Sequence, residues 1–245
     1  MWAAGADGCR AGWLAVFRCL DGQEPRARIF DSLDNVFSAP EQPKIVAVDI
    51  PIGLPKISGR GGRAADIACR KILGRDRQSS IFPPPSRAAL AAMSFLQACE
   101  IEQVNSAPPK KINQQTFNIL GKIREADAIA LQFKGMIFEC HPEVSFCVMN
   151  GGLAMKLPKK VSRRKNPDGI DESGLKERRQ LLSRNGYSEA LLSTRLGLAK
   201  ECGPDDLLDA CAAAWTAARI CKGQAVRFPS TADPDERGID MAIWA

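Results

Sequence analysis

The chain predicts a mixed α/β fold: a five-stranded sheet, three antiparallel meander strands and then parallel ones, with helices on both faces. Short apolar runs close on acids at Asp7, Asp49 and Glu139, as strands do when their ends converge on one sheet edge. Asp21-Gly22 between two alternating segments marks a hairpin, and helical spacing elsewhere supplies the crossovers that parallel strands need.

Taken in order, Trp2–Asp7 reads as a strand, Gly8–Gly12 as a tight turn and Trp13–Leu20 as a second strand. Arg26–Phe30 makes a third, with Ala27 and Ile29 on one face and Arg26 and Arg28 on the other. A short helical stretch around Ser32–Ser38 starts at Ser32 or Asp34. Lys44–Asp49 has the continuous apolar character of a central strand, and Ile50–Pro55 is its rigid exit. Arg63, Asp66 and Arg70 share one helix face and read as a solvated ion-pair stripe. Gly74–Arg87 is too rich in Pro and Arg for regular structure, and such long loops tend to be functional. Helices are expected from Ala88 to about Asn105 and from Thr116 to Leu131, then a strand over Phe133–Cys140. Were that strand to reach Glu143, then Glu139, His141 and Glu143 would share a face, although Pro142 argues for an end there. Leu175–Arg184 and Glu189–Lys200 are short helices, and Gly203-Pro204 opens a long Ala-rich one with Pro at its first position. Gly238–Trp244 closes the chain as a strand or turn.

With 245 residues, the chain suits a single domain over 1–245, carrying a helical insertion around 88–132 and a basic loop and helical insertion around 150–200. Three hairpin-linked strands leading into parallel crossovers are the layout of the ribonuclease H-like superfold. No apolar run approaches the ~20 residues that span a bilayer, and the N-terminus lacks a basic leader. Nine cysteines form no C-x-x-C pair, and Cys19, Cys69, Cys99 and Cys211 read as small buried hydrophobes; this favours a cytoplasmic setting over a disulfide framework or zinc site. The single histidine, His141, stands before Pro142 among acids, a poor context for a nucleophilic triad. A net charge of +6 mildly favours a polyanionic partner.

The carboxylates carry the chemistry. Asp7 suits a turn, but Asp49 follows a run that demands burial, and Pro51 leaves it little slack to reach solvent. Asp205, Asp206 and Asp209 open the last helix, where acids favour the dipole. Asp206 and Asp209, at i and i+3, can meet over one site, and Asp205 serves the helix start. Carboxylates gathered at one edge repel unless protons or a cation intervene, and Mg²⁺ or Mn²⁺ prefers oxygen ligands. Metal-assisted phosphoryl transfer uses such acids and requires no nucleophilic side chain.

Five segments carry a family resemblance: Asp7-Gly-Cys-Arg-Ala-Gly-Trp13, Val48-Asp-Ile-Pro-Ile-Gly-Leu54, Ser80-Ile-Phe-Pro-Pro-Pro-Ser-Arg87, Glu139-Cys-His-Pro-Glu143 and Asp205-Asp-Leu-Leu-Asp-Ala210. They resemble the signature blocks of domain-of-unknown-function family 429, regarded as a predicted nuclease with an RNase H-like fold. In resolvase-type nucleases of that fold, acids come from the first strand, the fourth strand and the last helix. Carried over, these match Asp7, Asp49 and the Asp206/Asp209 pair, while Glu139 belongs to the family's own E-x-H-P-E block. Asp in place of Glu on the fourth strand shortens its reach by one methylene.

The leading expectation is therefore a Mg²⁺- or Mn²⁺-dependent nuclease. Asp7, Asp49, Asp206 and Asp209 would hold metal, Glu139 would join them in catalysis, and His141 would carry protons. Arg10, Arg75, Arg77, Arg87, Lys159 and Lys160 would hold the phosphate backbone of DNA or RNA; the last two belong to the basic run Lys156–Lys165. No membrane is involved, and a homodimer would suit a branched substrate. Two alternatives stand beside this one: a non-catalytic RNase H-like binding scaffold, and an actin- or sugar-kinase-like nucleotide-binding protein using Gly8–Gly12 at a phosphate.

Overall fold

The computed structural model describes residues 1–159, 172–197 and 201–245. Strands β1 (Trp2–Cys9), β2 (Gly12–Cys19) and β3 (Arg26–Phe30) form the meander, followed by helix α1 (Asp34–Phe37) and strand β4 (Val46–Val48). A two-residue strand β5 (Ser58–Gly59) precedes helices α2 (Ala64–Arg77) and α3 (Phe95–Val104), and its partner β6 (Ser106–Ala107) follows them. Helices α4 (Gln114–Asn118) and α5 (Leu120–Ile129) lead into β7 (Ile137–Cys140), and α6 (Pro142–Met149) leaves it. Then come α7 (Ser173–Arg184), α8 (Glu189–Leu192), α9 (Pro204–Cys221), β8 (Arg227–Phe228) and β9 (Ile243–Trp244).

Among the described residues the main sheet has seven strands, in the order β3-β2-β1-β4-β7-β9-β8, and not the five expected. The first five positions follow the expected pattern: β1–β2 and β2–β3 are antiparallel, β1–β4 and β4–β7 parallel. The tail adds β9 parallel to β7 and β8 antiparallel to β9. Both faces are covered. Ala4, Ala6, Trp13, Phe17 and Val46 pack with Ile123 and Ala126 of α5 and Ala98 of α3, while Leu14 and Val16 face α7, α8 and α9. Burial on both sides explains why these strands read as apolar runs.

Register places the acids. Ala6 pairs with Val48 and Val48 with Glu139, so the carboxyl ends of β1, β4 and β7 lie side by side. The Asp49 N–H donates to the Ala6 carbonyl at 3.0 Å, fixing Asp49 beside Asp7. Helix α9 runs back across β1 at backbone contact. A Cβ on Gly5 would lie 1.9 Å from the Ala214 nitrogen, and Ala210, Ala213, Ala214 and Ala217 make the flat face that permits this approach. The first turns of α9, with Asp206 and Asp209, are thereby set above the end of β1.

Several boundaries differ from expectation. Helix α2 continues through a kink at Gly74 (φ 63°) to Arg77, into the segment predicted to be irregular. Strand β7 stops at Cys140, because Pro142 takes the first position of α6 and His141 caps it, so Glu139, His141 and Glu143 do not share a strand face. Helix α8 ends at Leu192. Cys19, Cys69, Cys99 and Cys211 are buried as expected. No helix among the described residues is long and apolar enough to cross a membrane.

Candidate functional site

The parallel strands deliver Asp7 and Asp49 to one edge, and α9 brings Asp209 to meet them. Burial, and then the neighbouring charges of Asp49, Asp209 and Asp206, push the Asp7 carboxyl well above the usual range. Burial likewise raises Asp49 to about 6 and Asp209 to about 7, with Lys159 opposing both shifts. The Asp209 Oδ1 is buried and has no hydrogen-bond partner among the described residues, the costly condition for a polar atom. Asp206 has another task at hand: its Oδ2 accepts the Gly203 N–H at 2.8 Å, closing the start of α9.

Lys159 sits within this group. Its ammonium is paired with Asp209 Oδ2 and lies 3.9 Å from Glu143 Oε1. Burial works against its charge, but Asp209 and Glu143 outweigh that and hold its pKa above the ordinary lysine value. Glu143 is already neutralised by the buried Arg178, whose Nε and Nη2 donate to its two oxygens at 2.8 and 2.6 Å. Among the described residues, no three His, Cys, Asp or Glu side chains are grouped so as to hold a metal ion.

Glu139 belongs to a different cluster. Its oxygens accept from Arg63 Nη2 at 2.6 Å and Nη1 at 2.7 Å, and Oε2 also accepts the Ile52 N–H at 2.7 Å. The same guanidinium donates to Asp66 Oδ1 at 2.9 Å and to the carbonyls of Ile52 and Gly53. Its two carboxylate neighbours outweigh burial and keep Arg63 charged. Arg63 and Asp66 are 4% and 1% exposed, so the stripe expected to be solvated is a buried ion cluster in this part of the helix. His141 uses both ring nitrogens: Nδ1 accepts the Glu143 N–H at 3.2 Å, which leaves Nε2 to donate to the Ser80 carbonyl at 3.2 Å. Burial, and then Lys159, lower its pKa and keep it neutral, which fits a helix cap better than a proton carrier.

A cavity of about 210 Å³ opens at this edge, lined by Asp7, Asp49, His141, Phe82, Gln115 and Lys122 among others. Lys122 extends over Trp13, its Nζ 4.5 Å from the ring centroid. Of the expected phosphate-holding residues, Arg10 and Arg75 are exposed. Arg87 is engaged with Asp127 at 2.8 Å and with Asp235, and Arg77 donates to the carbonyls of Met155 and Lys156, each at 2.9 Å. Lys160 lies outside the described residues.

Sequence reasoning missed Arg63, Asp66, Lys122 and Arg178 as neighbours of the site. Glu143, within the E-x-H-P-E block, was a signal for Arg178, since a buried glutamate needs a cation. Residues 5–234 match the family described as Protein of unknown function (DUF429). The chain belongs to the DUF429 family. No curated protein and no solved structure matches it. In this DUF429 member all five sequence blocks reach the same end of the sheet or the elements packed there, with Asp7, Asp49, Glu139 and His141 on the cavity itself.

Proposed function

We propose that this protein is a Mg²⁺- or Mn²⁺-dependent nuclease on an RNase H-like layout, hydrolysing phosphodiester bonds of DNA or RNA. The observation that carries the reading is the buried Asp209 Oδ1, without a hydrogen-bond partner among the described residues, beside Asp7 and Asp49. The β3-β2-β1-β4-β7 order, with acids at the ends of β1 and β4 and on the last helix, supports the layout. The donor set is all hard oxygen, which suits these ions, and Asp7, Asp49 and Asp209 are the residues that would hold them. Among the described residues no three such side chains are grouped as a cage, and Lys159 engages Asp209. Once bound, such an ion polarises phosphoryl oxygen and lowers the pKa of water.

The chain's own residues account for the rest. Lys122 offers a cation to phosphate from the cavity wall, and Arg10 and Arg75, both exposed, would follow a polyanionic backbone. Arg63 holds the end of β7 and the Ile52–Gly53 loop in one piece, keeping the acidic edge rigid. Asp206 and His141 shape the site by capping α9 and α6. Cytoplasmic residence and a homodimer suited to a branched substrate belong to the same proposal.

Calorimetric titration of Mn²⁺ tests it. Wild-type protein should bind saturably, Asp7→Asn should abolish binding, and metal-dependent cleavage should appear in a panel of nucleic acids. Wild-type protein that ignores millimolar Mn²⁺ and cleaves nothing would sink the reading. A non-catalytic scaffold is the second reading, favoured by the Lys159–Asp209 pair, which already offsets part of the acidic charge. It requires that partner binding be indifferent to acid-to-amide substitutions.

A further inference from the structure

Lys159 does not reach Asp209 by accident. The segment before it is clamped from two elements, α2 and α7. Arg77 donates to the carbonyls of Met155 and Lys156, Glu177 accepts the N–H groups of Lys156 and Leu157, and Arg178 donates to the Leu157 carbonyl at 3.0 Å. Gly174, at the start of α7, admits the Pro158 carbonyl so closely that a Cβ there would lie 1.9 Å from it. A backbone held this tightly aims the next side chain, and that side chain carries its ammonium into the acids.

Arg178 is bound to Glu143, so the Lys159 ammonium is left chiefly to Asp209, with Asp7 and Asp49 close by. Among the described residues the Asp209 Oδ1 beside that ammonium has no hydrogen-bond partner, a buried acceptor that a divalent ion would satisfy.

We propose that Lys159 is a tethered counter-cation that holds Asp209 in the metal-free protein and is displaced when a divalent ion binds. This rests on the metal-site reading above. The consequence is coupling: an ammonium released from Asp209 becomes a cation available to the phosphate of the substrate, so metal and polyanion assist each other's binding. It also makes the site weak for metal alone, because the ion must compete with a charge that is already in place.

Mn²⁺ binding to wild type, Lys159→Met and Lys159→Arg, followed by calorimetry and by the spectroscopic signal of free Mn²⁺, tests the proposal. Lys159→Met should bind Mn²⁺ at least tenfold tighter than wild type, and Lys159→Arg should stay near wild type. A readout on the unaltered protein runs beside it: amine acetylation read by mass spectrometry, in which Lys159 should label several-fold faster once Mn²⁺ is added. If wild type binds Mn²⁺ while Lys159→Met binds no tighter and labelling is unchanged, the counter-cation idea is overturned and the metal site stands. If no form binds Mn²⁺, the metal reading fails and takes this inference with it. Should Lys159→Met fail to fold, the labelling result alone decides.

Discussion

Replacing Gly5 by alanine should separate α9 from β1 and take Asp209 away from Asp7. The added Cβ would meet Ala214 N at 1.9 Å, the Ala213 carbonyl carbon at 2.4 Å and the Ala210 oxygen at 2.5 Å, all backbone atoms that cannot rotate aside. Ordinary heavy-atom contact begins near 3.5 Å, so the helix must retreat by roughly 1.5 Å. Overpacking of this kind costs about 1–3 kcal/mol. For a chain of this size that is a fall in Tm of roughly 2–12 °C. The same displacement should weaken Mn²⁺ binding, since the helix that moves carries Asp209. Gly121→Ala is the control: nothing lies within 4 Å of a Cβ there, and alanine is the better residue inside a helix. Thermal unfolding followed by circular dichroism, with Mn²⁺ calorimetry on the same samples, gives both readings. Gly5→Ala melting with wild type and binding Mn²⁺ as wild type does would refute the claim that backbone contact sets the site.

Two further outcomes are expected. Arg63→Met leaves Glu139 and Asp66 buried without their cation and should cost about 3–5 kcal/mol in urea unfolding; a loss below about 1 kcal/mol would mean that the cluster is not ionic. In chelator, Tm should fall as pH rises through the range where Asp49 (about 6) and Asp209 (about 7) ionise. These folded-state values lie above the unfolded ones, so the folded protein binds more protons; that stability is full below the ordinary aspartate value of 3.8 and is lost as pH climbs past about 7. Asp209→Asn should flatten the slope, and an unchanged slope would reject the assignment.

The acidic edge was legible because its cause is local. Asp7 and Asp49 close apolar runs, and Asp209 stands one turn into an Ala-rich helix, so periodicity alone brings them to one end of a parallel sheet. Glu139 closes a strand in the same way, yet its fate depends on Arg63, distant in the chain and paired only through packing of α2. The helix-face spacing of Arg63 and Asp66 was visible, but spacing does not tell which face is buried. Strands β8 and β9 have two residues each, too few to show a period, and this is why the sheet is wider than its sequence suggested. The clamp that aims Lys159 joins the side chains of Arg77, Glu177 and Arg178 to backbone groups of Met155, Lys156 and Leu157, and the backbone half leaves no mark on residue type.

The Arg63–Asp66–Glu139 cluster has a consequence for descent. Replacing Arg63 strands two carboxylates in the interior, replacing either acid leaves Arg63 paired with the other, and replacing all three by well-packed apolar side chains can be neutral or stabilising. Variation at these positions should therefore be ordered: a lineage can shed one acid while Arg63 stays paired with the other, but losing arginine first crosses an unstable intermediate. Random mutagenesis of this chain under selection for folding should retain Arg63 wherever either acid is retained, even though Arg63 and Glu139 are separated by more than a quarter of the sequence.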